Sequence, residues 1–207
     1  AHEGRIPVVT LVAAAVVTSA LAGLVPGLLV GILAGLVAWL FRDPPRMVPA
    51  RPLGVVSPVD GAVRSCREVH DPWLQRAVRR VGILVTFPGM GPLRSPTEGK
   101  VMDYRLRHEA YRDHGGYRVP RNTVTSHALW LRTDEGDDLV LVVSSRWRLH
   151  RLVSQVRVGE RLGQGQRWGF AYLVSRVDVL FPVKSRFAVQ PGRPVVAGTD
   201  VLATLVH

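Results

Sequence analysis

The residues able to do chemistry in this chain are a serine near the C-terminus, an aspartate in a turn, scattered histidines and one arginine-tryptophan cluster. The serine heads the string Ser175-Arg176-Val177-Asp178, set between two apolar strand-like runs with a short tail after it. A serine hydroxyl is a poor nucleophile until a base takes its proton, so a partner has to come from elsewhere in the chain. No Gly-x-Ser-x-Gly elbow of an ordinary serine hydrolase is present. Asp60, in Val59-Asp60-Gly61, reads on its own as a turn aspartate. His127 beside an apolar run reads as a structural histidine, and His70, His108, His114 and His150, in charged settings, read as solvated surface. No pair of histidines or cysteines has metal-ligand spacing, so no metal is expected. Arg146, Arg148, His150 and Arg151 surround Trp147, a grouping suited to a phosphate beside a flat or interfacial ring.

The elements that must position these residues begin with an apolar N-terminus. Residues 6–41 contain no charge, and Pro26-Gly27 divides them into 6–24 and 28–41. The first half is about long enough to cross a ~30 Å hydrocarbon core, while the second is shorter. The run is too long for a cleaved signal peptide and stays apolar past Pro26. A membrane hairpin over residues 1–41 is therefore expected. Arg5 precedes it and Arg42, Arg46 and Arg51 follow it, which puts both ends on the cytoplasmic face of the inner membrane. The 207 residues carry a formal net charge of +11, which suits an anionic leaflet better than nucleic acid once the chain is membrane-bound. A lipid phosphate is then the economical target for Arg94, Arg146, Trp147 and Arg148, with a solvated strand face as the other reading of the cluster. A single cysteine, Cys66, needs no oxidising compartment and reads as a small apolar filler.

A Pro/Arg-rich linker over 42–54 cannot continue a helix. Beyond it, 55–207 reads as one mainly β domain, with strands predicted at 55–56, 62–63, 81–87, 100–104, 128–132, 139–143, 152–158, 168–173, 177–181 and 201–206 and weak helical character at 73–80. Two repeats organise it. Ser57-Pro58-Val59-Asp60-Gly61 returns as Ser95-Pro96-Thr97-Glu98-Gly99, and Val156-Arg157-Val158-Gly159 followed by Gly165 returns as Val189-Gln190-Pro191-Gly192 followed by Gly198. The expected fold is a barrel-sandwich-like antiparallel β domain with pseudo-repeated halves. Its second repeat resembles the folded-over strands of biotinyl and lipoyl carriers, but no lysine stands at a hairpin tip, which argues against a swinging arm.

Several blocks, in order and behind the apolar hairpin, resemble the short form of the phosphatidylserine decarboxylases. They are His2-Glu3-Gly4, Phe41-Arg42-Asp43-Pro44-Pro45-Arg46, Ser57-Pro58-Val59-Asp60-Gly61 and Ser175-Arg176-Val177-Asp178, and the resemblance covers nearly the whole chain. It implies that the bond between Val174 and Ser175 breaks itself, that Ser175 becomes a pyruvoyl group, and that Asp60 belongs to the self-processing machinery. That cofactor would accept the electrons left when phosphatidylserine loses its carboxylate to give phosphatidylethanolamine. The chain departs from the family at four places. Val174 stands where the family has glycine, and Gly91 where it has the histidine of a His-Val-Asn-Arg-x-Pro block. Val124-Thr125-Ser126-His127 replaces Asn-Glu-Arg-Asn, and Ser145-Arg146 replaces Ala-Gly. His127 thus becomes a candidate substitute base. The expected activity is a membrane-bound decarboxylase. The alternative is an uncleaved homologue that binds anionic phospholipid, and a homo-oligomer is left open.

Overall fold

The computed structural model describes residues 5–40, 46–51, 53–71, 74–107, 125–145, 150–154 and 156–206, which form two compact units, 1–45 and 46–207. In the first, α1 (Arg5–Ala22) and α2 (Leu24–Leu40) are separated by Gly23 at φ +93°. The break therefore falls three residues before the expected Pro26-Gly27 tip. A left-handed glycine ends a helix at no steric cost, and a proline near the start of the next one loses no intrahelical bond. Gly27 instead seals the helix crossing: a Cβ there would stand 1.7 Å from Ser19 Oγ. The helices have 18 and 17 residues, and none among the described residues is long and apolar enough to cross a membrane.

The second unit is antiparallel throughout. Its strands are β1 (Gly54–Val56), β2 (Gly61–Asp71), β3 (Arg76–Val85), β4 (Gly91–Arg94), β5 (Gly99–Arg107), β6 (Thr125–Arg132) and β7 (Asp138–Ser145). They continue with β8 (Arg151–Ser154), β9 (Arg161–Leu162), β10 (Arg167–Tyr172), β11 (Arg176–Pro182), β12 (Arg186–Phe187), β13 (Pro194–Val195) and β14 (Val201–Thr204). An eight-stranded sheet runs β13-β2-β3-β11-β7-β6-β5-β9, and two three-stranded sheets run β1-β14-β12 and β4-β10-β8. The mainly β fold with two N-terminal helices is the one expected.

The repeats emerge as a pseudo-twofold. Ser57 Oγ donates to the Val59 carbonyl and Ser95 Oγ to the Thr97 carbonyl, each at 2.7 Å. Across the axis, the Val56 amide donates to the Pro96 carbonyl and the Arg94 amide to the Pro58 carbonyl. The second repeat matches as closely, with Gly159 and Gly192 at φ +91° and +92° and Gly165 and Gly198 at +69° and +71°. The Gly198 amide donates to the Ser57 carbonyl and the Gly165 amide to that of Ser95, so the two repeat families clasp each other.

Of the expected 73–80 helix, the described residues 74–80 are not helical. Past a turn at Gln75, β3 starts at Arg76 and pairs with the whole length of β2. Burial of Val78 and Arg80 on one face of that ladder outweighs the local helix preference of Leu, Gln, Ala and Arg. The main core lies on one face of the large sheet, with Leu129 and Leu131 from β6, Leu139, Leu141 and Val143 from β7, and Val177, Val179 and Phe181 from β11. The opposite face carries a smaller cluster of Val78, Ala128, Val140, Val142 and Leu180. Because β7 is apolar on both faces, it reads as a continuous hydrophobic run. Half-buried Cys66 packs against the core, where burial raises its thiol pKa, and its Sγ donates to the Val189 carbonyl.

Asp138 at the start of β7 accepts from Trp130 Nε1 at 2.9 Å and Arg132 Nε at 2.8 Å, with Arg76 Nη2 at 3.2 Å. Burial alone would raise its pKa, but these hydrogen bonds and the nearby arginine charges hold it below the ordinary aspartate value. A carboxyl whose folded pKa is depressed stabilises the fold above its unfolded value and loses that contribution as pH falls through the folded one. Urea midpoints should therefore fall as pH drops below about 4, and Asp138→Asn should flatten that part of the profile. An unchanged acid limb in the variant would contradict this.

Candidate active site

The corner between β10 and β11 holds the candidate site. Leu173, Val174 and Ser175 carry the chain from the β4-β10-β8 sheet to the centre of the eight-stranded sheet. Leu173 sits in the left-handed region at φ +56°. A leucine adopts that conformation only when its surroundings hold it there. Here the Ser145 hydroxyl, at the end of β7, donates to the Leu173 carbonyl. The Val174 amide donates to the Gly89 carbonyl at 2.8 Å, and the Ser175 amide to the Ser144 carbonyl at 3.2 Å. The Ser175 carbonyl accepts from the Val85 amide at 3.2 Å. Both sides of the Val174–Ser175 peptide are thus tied to three neighbouring segments.

Gly89, at φ +73°, makes this fit possible. A Cβ on it would lie 2.1 Å from the Val174 carbonyl oxygen, so only glycine lets the loop after β3 press against that carbonyl. Val174 is 3 % exposed and its side chain belongs to the main core. Ser175 is half-buried, and no described side chain hydrogen-bonds its hydroxyl.

Asp60 lies across β3 from this corner. The Thr86 amide donates to its carbonyl, next along the chain from the Val85 amide that holds Ser175. Its carboxylate accepts from Arg46 Nη2 and from the Ala197 amide, both at 2.8 Å. The structure brings Asp60 and Ser175 to the two sides of one strand end and not into side-chain contact. Gly91 stands opposite Ala171, in the strand pair that leads into the corner. A Cβ at Gly91 would meet nothing within 4 Å.

His127 faces the core side of β6, paired with Val143, two strands from β11. Its Nδ1 lies 2.8 Å from the Tyr104 hydroxyl, and its ring meets His150 edge-on at a centroid distance of 5.8 Å. His150 is thus a packing partner and not the solvated residue expected. Burial pushes the Tyr104 hydroxyl up to about 12, so Tyr104 stays protonated at neutral pH. Arg94 donates from Nη1 to the Gly165 carbonyl at 3.1 Å and lies along Gly198, at the pseudo-twofold. Arg146, Trp147 and Arg148, like the blocks 2–4 and 41–45, lie outside the described residues. Ser145 and Gly89 were not singled out as site residues from sequence. A non-glycine left-handed corner leaves no composition signal, and only the fold brings Gly89 to Val174.

The model of the phosphatidylserine decarboxylase family matches residues 33–203. A phosphatidylserine decarboxylase proenzyme of Nitrosomonas europaea is 34 % identical over 98 % of this chain and 94 % of its own length. One from Aromatoleum aromaticum is 34 % identical over 99 % of this chain and 95 % of its own, and one from Burkholderia vietnamiensis 30 % over the same shares. No solved structure matches the chain. With matches of this extent around a strand corner that presents Ser175, the chain belongs to the phosphatidylserine decarboxylase family.

Proposed function

We propose that the chain is a phosphatidylserine decarboxylase proenzyme that cuts itself between Val174 and Ser175 and then decarboxylates phosphatidylserine at a membrane surface. The observation that carries the reading is the corner itself, where backbone hydrogen bonds fix the peptide on both sides of a serine whose hydroxyl is unengaged among the described residues. Full-length similarity to proteins named as proenzymes supports processing over an uncleaved lipid binder.

The Ser175 hydroxyl adds to the Val174 carbonyl carbon while its proton passes to solvent. The Val174–Ser175 C–N bond then breaks, and the nitrogen takes up a proton to leave an ester. Loss of the Ser175 Cα proton expels Val174 as a free carboxylate. Hydrolysis of the resulting enamine releases ammonia and leaves a pyruvoyl group at residue 175. The residues fit that group, because position 175 stays anchored through Val85 at the head of β11 and is half-accessible to substrate. The group supplies the electron sink that decarboxylation at Cα requires and ordinary side chains lack. Asp60 contributes by fixing the end of β3, with Arg46 and the Ala197 amide orienting its carboxylate. Slow cleavage, or none, is expected, because Gly91 and Val174 stand where the resembled pattern has histidine and glycine.

The hairpin and its basic flanks associate with the cytoplasmic leaflet in this reading. Leu21, Leu24, Val25 and Ile32 are all more than two-thirds exposed, as an apolar hairpin at a bilayer requires. Deleting residues 1–41 should remove the need for detergent, and a full-length chain freely soluble without detergent would contradict the membrane placement.

The direct test is intact mass with time after purification, beside CO2 release from phosphatidylserine in mixed micelles. Two pieces, 1–174 and 175–207, with the second blocked at its start, together with turnover, are expected. A whole chain that only binds anionic vesicles would favour the lipid-binding reading. Gly91→His should raise the cleavage rate, since the position is sterically open. Combined with Val174→Gly, it should do so by more than the product of the single effects, because groups acting as a unit are non-additive. Multiplicative effects would contradict the idea that these positions work together.

A further inference from the structure

The structure assigns Ser145 a role as a positioning residue for self-cleavage, and this assignment rests on the proposed function. Leu173 is the pivot at which the chain leaves one sheet for another, and it is one of two non-glycine residues with positive φ among the described residues. An L-residue with a branched side chain does not hold that conformation unaided, because its Cβ crowds the carbonyl. The hold comes from one side chain: Ser145 reaches from the end of β7 and donates its hydroxyl to the Leu173 carbonyl. Ser145 is 2 % exposed, so water does not compete for the bond.

The Val174 amide, in the same peptide as the Leu173 carbonyl, donates to the Gly89 carbonyl, so Ser145 and Gly89 hold the two edges of the Leu173–Val174 peptide and with it the Leu173 torsion. That torsion decides where the next carbonyl points. With Leu173 left-handed, the Val174 carbonyl oxygen lies against the bare Cα of Gly89, and its carbon is the one that the Ser175 hydroxyl must reach. The two departures from the family pattern that flank this corner then make sense together. A serine replaces alanine at 145 and a valine replaces glycine at 174, so a hydroxyl clamp supplies the backbone geometry that valine cannot reach as freely as glycine.

The test is the rate at which purified full-length chain is cut before residue 175, read by intact mass. Ser145→Ala should slow cleavage by on the order of tenfold or more, as misplacement of reacting groups does, with an unchanged circular dichroism spectrum. Ser145→Thr, which keeps the hydroxyl, should cut at a rate close to the parent's. The decisive variant is Ser145→Ala with Leu173→Gly: glycine adopts positive φ without help, so this pair should recover most of the parental rate. A structural defect at Ser145 would not be rescued from residue 173. A parent that is cut while Ser145→Ala is cut equally fast overturns the inference alone, and so does a double variant no faster than Ser145→Ala. A parent that stays whole overturns both the inference and the pyruvoyl reading beneath it.

Discussion

Ser175→Ala should remain a single chain of 22.7 kDa however long it is stored, under conditions in which the parent divides. The expected effect is complete loss, because alanine offers no oxygen to add to the Val174 carbonyl and no leaving group for the elimination that follows. The fold should survive, since the corner is fixed by backbone atoms that alanine retains: the Ser175 amide on Ser144 and its carbonyl on Val85. Thermal midpoints should therefore match those of the uncut parent. Cleavage at the same bond in the alanine variant would mean that the cut is made by a contaminating protease or by another group, and the assignment of Ser175 would fall.

The second large effect concerns stability and lies three residues further along, at Asp178. Arg80 is 1 % exposed, with its Nε 4.0 Å from Asp178 Oδ1. Arg176 Nε and Nη2 reach the same oxygen at 2.9 and 2.8 Å. Gly82 leaves room for the group, since a Cβ there would stand 2.8 Å from Asp178 Oδ1 and 2.9 Å from Ser65 Oγ. Removing one partner of a buried pair strands the other charge in a poorly solvated site, at a cost of about 3–5 kcal/mol. Asp178→Ala, made in the Ser175→Ala background so that the chain stays whole, should lose that much in urea unfolding. Arg80→Met with Asp178→Leu should lose less, because the two most deeply buried charges go together and only the part-exposed Arg176 loses its carboxylate. Equal losses in the single and paired variants would show that the cost arises from packing and not from charge.

Legibility from sequence follows the range of the interactions. The repeats were readable because each tight turn calls for glycine at a fixed distance, and Gly159, Gly165, Gly192 and Gly198 kept that spacing. The strand core of β7 was readable because residues buried on both faces leave a continuous apolar run. The 73–80 stretch misled because its local preference is helical while its partner β2 is set by the fold. The hairpin break misled because Pro26-Gly27 is the stronger local signal, whereas Gly23 takes the left-handed turn. In the site, Ser175 and Asp60 stood out through their motifs. Ser145 and Gly89 did not, for their importance lies in a carbonyl that each meets only after distant strands have assembled. His150 read as surface for the same reason, since it stands just before β8 in one sheet and meets His127 on β6 of another.

The position of β11 has a consequence for the life of the molecule after cutting. This strand lies between β3 and β7 in the middle of the large sheet, and β14, further along the same piece, lies between β1 and β12. A break before residue 175 therefore leaves a short peptide threaded through two sheets of a larger one, with β11 and β14 inside them and only the two-residue β12 and β13 at their edges. The halves should copurify under native conditions and part only in denaturant. Before the cut, refolding is a search within one chain. Afterwards it is an encounter between two, concentration-dependent and without the covalent link that first set the register. Maturation would thus turn a fold maintained by equilibrium into one maintained by the slowness of its opening.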